Sequence, residues 1–133
     1  MRTVFADSFF FFALLSETDA AHEKAIAICD DSTLAIVTTA WVLTEVADGM
    51  ARSANRPDFI VFIRQLHENR SIRVLPANME TFHRGLDLYC SRPDKEWSLT
   101  DCISFVAMGD EGLKEALTGD HHFEQAGFVA LLR

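Results

Sequence analysis

The sequence predicts an α/β fold with a mostly parallel central sheet of about five strands flanked by helices. Compact apolar runs such as residues 34–38 (LAIVT) are typical of parallel strands that are buried on both faces. Segments with helical periodicity alternate with these runs along the chain. The chain has 133 residues and is 49% hydrophobic, which suits one core and not two. We therefore expect a single domain over residues 1–133.

The N-terminal half is expected to alternate two strands with four helices. Thr39 is suited to cap the helix after the second strand, because its side chain can accept a backbone N–H. Pro57 is suited to the first turn of a later helix, and Arg56 is expected to lie between helices. The expected elements are a strand at 2–6, helices at 8–15 and 20–29, a strand at 34–38, and helices at 40–52 and 58–67.

The C-terminal half is expected to supply the remaining strands. Ser98 and Asp101 fit the capping-box pattern S-x-x-[DE], which marks the start of a helix. In parallel α/β sheets, ligands bind beyond the carboxyl ends of the strands. The expected elements are a strand at 72–75, a helix at 79–91, a loop at 91–97, a helix at 99–108, and strands at 116–118 and 128–131.

The charge balance limits the kind of partner. Twelve basic and 20 acidic residues give a net charge of −8, which counts against a broad nucleic-acid-binding face but not against a local one. The longest apolar run, residues 9–15, is shorter than the about 20 residues that a bilayer requires. It does not end in a small-residue cleavage site. We therefore expect a cytoplasmic protein with no membrane partner.

The cysteines and histidines do not predict a zinc site. Cys29, Cys90 and Cys102 are widely separated and form no CxxC pair, so we expect reduced thiols. His121 and His122 are adjacent, and adjacent side chains on a regular backbone are expected to diverge. No other histidine or cysteine lies at ligand spacing.

Four acidic residues occupy positions that are unusual for surface acids. Asp7 lies between an apolar strand and the FFFF run, and Glu45 is the only charge in AWVLTEVA. Asp120 follows a predicted strand and Gly119. Each has an ordinary alternative: a turn or helix cap for Asp7 and Asp120, a solvated tip for Glu45, and the capping box for Asp101.

Taken together, the four acids predict a metal site at one edge of the sheet. Three of them fall at strand ends or helix starts, and the fourth lies in a helix that follows a strand. Clustered carboxylates repel one another unless a cation neutralises them. Oxygen ligands favour hard ions such as Mg²⁺ or Mn²⁺. Metal-assisted hydrolysis of a phosphodiester bond is the chemistry that such a site supports.

The chain resembles the PIN-domain nucleases, and within them the VapC-like toxins of type II toxin–antitoxin modules. The resemblance covers nearly the whole chain. It rests on an Asp after the first strand (VFADSFFFFALL), a Thr-Glu pair in a helix (LTEVAD), the segment WSLTDCISF, and TGDHHFEQAGF near the end.

The resemblance implies a single-stranded RNA endonuclease site with one or two Mg²⁺ or Mn²⁺ ions. Its four acids correspond to Asp7, Glu45, Asp101 and Asp120. The resemblance also implies a homodimer that is inhibited by a small antitoxin whose C-terminal segment covers the site. Neighbouring hydroxyls are candidates to support the acids, with helix capping as the alternative. These are Ser8, Thr44, Ser98 and Thr118.

Other residues and other functions stay open. Arg52 and Arg56 are candidates for RNA phosphate contacts, or are ordinary surface arginines. Trp97 is expected to pack beneath its loop and not to stack on a base. One alternative function is a haloacid-dehalogenase-like phosphatase with Asp7 as nucleophile, although the chain has Asp7-Ser8-Phe9 where that family usually has D-x-D. Another is a non-catalytic α/β interaction module.

Overall fold

The structure is a computed structural model that describes residues 1–133, and it has five strands and seven helices. None of the helices is both long and apolar enough to cross a membrane. The strands are β1 (Arg2–Ala6), β2 (Leu34–Thr39), β3 (Ile72–Leu75), β4 (Glu115–Leu117) and β5 (Val129–Ala130). The helices are α1 (Ser8–Leu15), α2 (His22–Cys29), α3 (Ala40–Gly49), α4 (Arg56–Glu68), α5 (Met79–Ser91), α6 (Leu99–Glu111) and α7 (His121–Gln125).

The sheet has the order β3-β2-β1-β4-β5, and every neighbouring pair of strands is parallel. The predicted fold class is therefore confirmed. β1 occupies the centre, with β2 on one side and β4 on the other. From β1 the chain adds β2 and β3 on one side of the sheet and then β4 and β5 on the other, so the order reverses at β1. Such a reversal opens a crevice at the carboxyl edge of the sheet.

Several predicted boundaries differ from the observed ones. The helix expected from residue 20 begins at His22, because the Asp19 carboxylate accepts the Ala21 amide and holds a turn there. The helix expected to reach residue 52 ends at Gly49. Arg56 does not lie between helices but begins α4, with Pro57 in the first turn as expected. The last strand is shorter than expected, and α7 was not predicted, because five residues are too few to show helical periodicity.

α1 is apolar on nearly every side because it is packed against neighbours on several sides. Phe10 and Phe11 are fully buried, and their rings meet edge to face. Burial of each such ring contributes about 1.5–3 kcal/mol to folding. Phe9 of the same helix lies so close to Gly119 that a Cβ there would be 2.5 Å from the ring. Glycine at this position therefore lets the segment after β4 approach the start of α1.

Candidate active site

Asp7 lies at the carboxyl end of the central strand and is only 4% exposed. Its side chain makes no capping bond to α1, so helix capping does not explain its presence. Instead, its Oδ2 accepts a hydrogen bond of 2.9 Å from the Thr118 hydroxyl. The same hydroxyl oxygen accepts the Asp120 amide at 3.0 Å. Thr118 therefore connects the segments that follow β1 and β4.

The environment of Asp7 disfavours its charged form. Burial raises the pKa of Asp7 from 3.8 to about 7. The negative charges of Asp101 and Glu45 also raise it, whereas hydrogen bonds from the Thr118 hydroxyl and the Ser8 amide lower it. Asp101 and Glu45 are thus close enough to Asp7 for their charges to act on it. Glu45 itself is partly exposed on α3.

Asp101 combines a helix cap with a position among other ionisable groups. Its carboxylate accepts the Ser98 amide and the Ser98 hydroxyl accepts the Asp101 amide, so the predicted capping box is present. Asp101 is 8% exposed, and burial raises its pKa, with a further contribution from the charge of Asp120. Hydrogen bonds from the Ser98 amide and from His122 oppose this shift. The cap thus accounts for only part of the surroundings of Asp101.

The structure brings all four predicted acids to one region. Asp101 and Glu45 act on Asp7, and Asp120 acts on Asp101. Asp120 is the N-cap of α7, where its carboxylate accepts the His122 amide at 2.9 Å. The turn or cap interpretation of Asp120 is therefore correct in itself, and the residue also lies beside another acid.

His122 is a residue of this region that the sequence analysis did not assign to the site. Its Nδ1 lies 3.3 Å from the Asp101 Oδ2 and 3.3 Å from the Asp120 Oδ1. The His121 and His122 rings do not diverge as expected, since their centroids are 4.4 Å apart. Both histidines lie in the first turn of α7, directly after its N-cap Asp120. The sequence signal was the pair of histidines next to Asp120.

The predicted supporting residues have different environments. The Thr118 hydroxyl donates to the Asp7 carboxylate, whereas the Ser98 hydroxyl accepts the Asp101 amide, as in the capping alternative, and the Ser8 amide acts on Asp7. The Thr44 hydroxyl is exposed and donates to the Ala40 carbonyl of its own helix, so it does not hold an acid in place. The Arg56 guanidinium donates to the Ala51 carbonyl, whereas Arg52 is exposed and has no ion-pair partner among the salt bridges.

Trp97 packs beneath its loop, as expected. It is 6% exposed, meets the Phe105 ring edge to face, and donates its indole N–H to the Gln125 side chain. An open cavity of about 820 Å³ lies beside it, lined in part by Lys95 and by Ser98. The cavity thus reaches the start of the helix that carries Asp101.

Residues 4–129 match the family model of the PIN domain. The chain belongs to the PIN domain family. No curated protein sequence matches it. Two solved structures share much of the PIN fold at low sequence identity. FitAcB from Neisseria gonorrhoeae has a TM-score of 0.68 at 19% identity, covering 98% of this chain and 96% of its own. DNA-bound VapBC from Salmonella typhimurium has a TM-score of 0.69 at 11% identity, covering 98% and 97%.

A third structure matches this PIN domain with a higher TM-score. VapC20 from Mycobacterium tuberculosis, described as a sarcin-ricin loop cleaving toxin, has a TM-score of 0.86 at 22% identity. The match covers 98% of this chain and 99% of the other. At such low identity these matches establish the PIN fold, including the carboxyl edge on which the acids lie, and not the chemistry.

Thr118→Val should destabilise this PIN domain more at pH 8.5 than at pH 5. The hydroxyl donates to a buried carboxylate, and such a bond to a charged group contributes about 1.5–3 kcal/mol. Because this bond lowers the pKa of Asp7, it favours the charged form, so its loss costs most above pH 7. Urea unfolding of the metal-free protein at both pH values measures the difference. An equal loss at both values would contradict the assigned bond.

Proposed function

We propose that this PIN domain is a metal-dependent endoribonuclease that hydrolyses RNA phosphodiester bonds in the cytoplasm. The observation that carries the proposal is the buried Asp7 at the centre of the sheet edge, with the charges of Asp101 and Glu45 acting on it and that of Asp120 acting on Asp101. Membership of the PIN family supports a nuclease over the phosphatase and over a module without catalysis.

The donor set fits a hard divalent cation. Asp7 and Asp101 are buried carboxylates whose pKa values are raised, which is a costly arrangement without a counter-charge. A cation between them would remove that cost, and oxygen donors favour Mg²⁺ or Mn²⁺. Asp7 and Asp101 would hold the ion, with Glu45 and Asp120 completing the set. When bound, such an ion supplies Lewis-acid stabilisation of the phosphate and a more acidic bound water.

The residues of the chain have separable tasks in this scheme. The Thr118 hydroxyl fixes the Asp7 carboxylate in one orientation and links it to the backbone of Asp120. The capping box fixes Asp101 in the same way. Glu45 is partly exposed, so its carboxylate is able to accept a hydrogen bond from the attacking water or to bind the ion. Preorganised groups of this kind lower the barrier because they do not need to reorganise during the reaction.

RNA must approach an acidic protein through a few local cations. Five arginines are paired with carboxylates and are poorly available for phosphate. Arg52, which is exposed near the end of α3, and Lys95, which lines the cavity beside Ser98, are better placed. We assign these two residues to contacts with the RNA backbone. Arg56 is a weaker candidate because its guanidinium already bonds to a carbonyl.

We further propose that the chain is the toxin of a toxin–antitoxin pair, that it forms a homodimer, and that a cognate antitoxin covers the site. The support for a toxin with an antitoxin partner comes from the similar structures of the toxin VapC20 and of VapBC. Expression of the chain alone should slow growth, and co-expression of the neighbouring reading frame should restore it. Growth arrest that is unchanged in a Glu45→Gln variant would argue against toxicity through this site.

Cleavage assays of purified protein test the nuclease proposal. We expect RNA cleavage with Mg²⁺ or Mn²⁺ and none with EDTA, and a rate at least about tenfold lower for Glu45→Gln. Asp48→Asn is the matched control, because Asp48 is an exposed acid on the same helix. Wild-type-like rates should persist in that variant. Cleavage that survives EDTA, or that falls equally in both variants, would contradict the proposal.

A further inference from the structure

Asp120, His121 and His122 form a second cluster of possible ligands beside the four acids. One ligand atom of each residue lies within 4.8 Å of those of the other two. His121 Nδ1 is 3.6 Å from the Asp120 Oδ1, and His122 Nδ1 is 3.3 Å from the same oxygen. In a tetrahedral zinc site with bonds of about 2.1 Å, neighbouring ligand atoms lie about 3.4 Å apart. The two spacings to Asp120 are close to that value and all three ligand atoms lie within 4.8 Å, so the three donors are near enough to bind one ion.

The position of His122 is a separate indication of a ligand. Its Nδ1 is equally far, at 3.3 Å, from the Asp101 Oδ2 and the Asp120 Oδ1. A charge-assisted hydrogen bond is about 2.7–2.9 Å long, and a single N–H cannot serve both oxygens well. The nitrogen is thus directed between two carboxylates without a short bond to either. Its ring is mostly shielded, with 18% of the side chain exposed.

We propose that Asp120, His121 and His122 bind a borderline transition-metal ion, with Zn²⁺ as the defined example. Two imidazoles and one carboxylate are a donor set that selects Zn²⁺ and its neighbours over Mg²⁺. A catalytic or inhibitory zinc ion commonly keeps a fourth position for water, so three protein ligands are sufficient. Its donors differ in chemistry from the oxygen-only set of Asp7, Glu45, Asp101 and Asp120, although Asp120 belongs to both.

The two ion sites share Asp120, and His122 also contacts Asp101. A Zn²⁺ ion at the histidines therefore competes with Mg²⁺ for the Asp120 carboxylate, a consequence that rests on the proposed function. Binding energies are linked reciprocally, so Mg²⁺ must lower the affinity for Zn²⁺ by the same factor by which Zn²⁺ lowers the affinity for Mg²⁺. The histidine pair thus makes the nuclease sensitive to zinc.

Cobalt titration tests the site without using RNA. Co²⁺ replaces Zn²⁺ in such sites and absorbs visible light when it is bound by imidazole and carboxylate. We expect one equivalent of Co²⁺ to give this absorption and Zn²⁺ to abolish it. His121→Ala should lower the affinity for Co²⁺ at least about tenfold. His121 is exposed, so its replacement should leave the fold intact. His122→Ala is the second variant and should also lower the affinity for Co²⁺.

Two controls separate this site from other donors. His67→Ala removes an exposed histidine of α4, and Cys90→Ser removes an exposed thiol. Both variants should bind Co²⁺ as the wild type does. Equal weakening in His67→Ala and His121→Ala, or a sulfur-to-cobalt charge-transfer band that Cys90→Ser removes, would overturn the assignment.

Addition of Mg²⁺ tests the overlap of the two sites. Excess Mg²⁺ should weaken Co²⁺ binding in the wild type and have less effect in Asp7→Asn, which removes a ligand of the Mg²⁺ site alone. If Mg²⁺ leaves the affinity of the wild type for Co²⁺ unchanged, the two sites do not overlap. Because the titration contains no RNA, a failed cleavage assay leaves its result intact, and loss of Co²⁺ binding leaves the nuclease proposal intact.

Discussion

Asp7→Asn should make the metal-free protein more stable while it removes metal-dependent cleavage. Burial holds the pKa of Asp7 at about 7, so at pH 8.5 the folded state carries a charge that it disfavours. The difference between 3.8 and about 7 corresponds to about 4 kcal/mol as an upper limit. Asparagine removes the charge and its oxygen still accepts the Thr118 hydroxyl. Because Asp7 is a proposed ligand of the ion, its replacement should lower the cleavage rate by about 100-fold or more.

The stability gain should depend on pH in one direction. Because the pKa of Asp7 is higher in the folded than in the unfolded chain, the folded state binds more protons between about pH 4 and pH 7. Through that window the contribution of Asp7 to the free energy of unfolding falls as pH rises. Urea unfolding in EDTA should therefore give Asp7→Asn a free energy of unfolding well above that of the wild type at pH 8.5 and close to it near pH 4.

Magnesium should reverse this order. A bound cation favours the charged carboxylate, so Mg²⁺ should stabilise the wild type at pH 8.5 and have little effect on Asp7→Asn. Asp48→Asn, an exposed replacement of the same kind, should change stability by less than about 0.5 kcal/mol under every condition. A destabilised Asp7→Asn protein at high pH without metal would contradict the assigned environment of Asp7.

Asp101→Asn and Asp101→Ala should separate the two roles of Asp101. The asparagine oxygen can still accept the Ser98 amide, so Asp101→Asn keeps the cap and loses the charge. Asp101→Ala loses both, and loss of a cap costs about 1 kcal/mol. We expect both variants to lose cleavage by about 100-fold and only the alanine variant to lose stability, as measured by urea unfolding and RNA cleavage.

Ser98→Ala provides the comparison for the cap. It removes the hydroxyl that accepts the Asp101 amide but leaves the carboxylate charge in place. Its free energy of unfolding should be about 1 kcal/mol lower than that of the wild type, as expected for Asp101→Ala. If Asp101→Asn cleaves RNA like the wild type, Asp101 serves only as a helix cap, and the oxygen-only site must be reassigned.

The sequence contained enough information for the sheet and for the four acids. Residues 34–38 (LAIVT) predict a buried strand because this short apolar run contains the β-branched residues Ile36, Val37 and Thr38, whereas the longer apolar run at 9–15 lies in helix α1. Asp7 and Asp120 follow strands whose carboxyl ends meet at one edge, so their proximity follows from parallel pairing alone. The capping box at Ser98 was visible because both partners lie within one helical turn.

The contacts that were missed depend on tertiary structure. The bond from Thr118 to Asp7 joins residues 111 positions apart, and no local pattern reports it. The rings of His121 and His122 lie close together, contrary to the expectation for adjacent side chains, and no local sequence pattern reports this arrangement. The close approach of Phe9 to Gly119 is equally invisible in the sequence, although it lets the segment after β4 approach α1.

The pairing of β1 with β4 has a consequence during protein synthesis. A ribosome releases the N-terminus first, so β1 is available well before β4, whose first residue is Glu115. Until β4 emerges, one side of the central strand is an unpaired edge, and neither Thr118 nor Asp120 is in place. A nascent chain is thus unable to assemble the complete set of carboxylates. Cleavage at the proposed site should therefore begin only after β4 and residues 118–120 have left the ribosome.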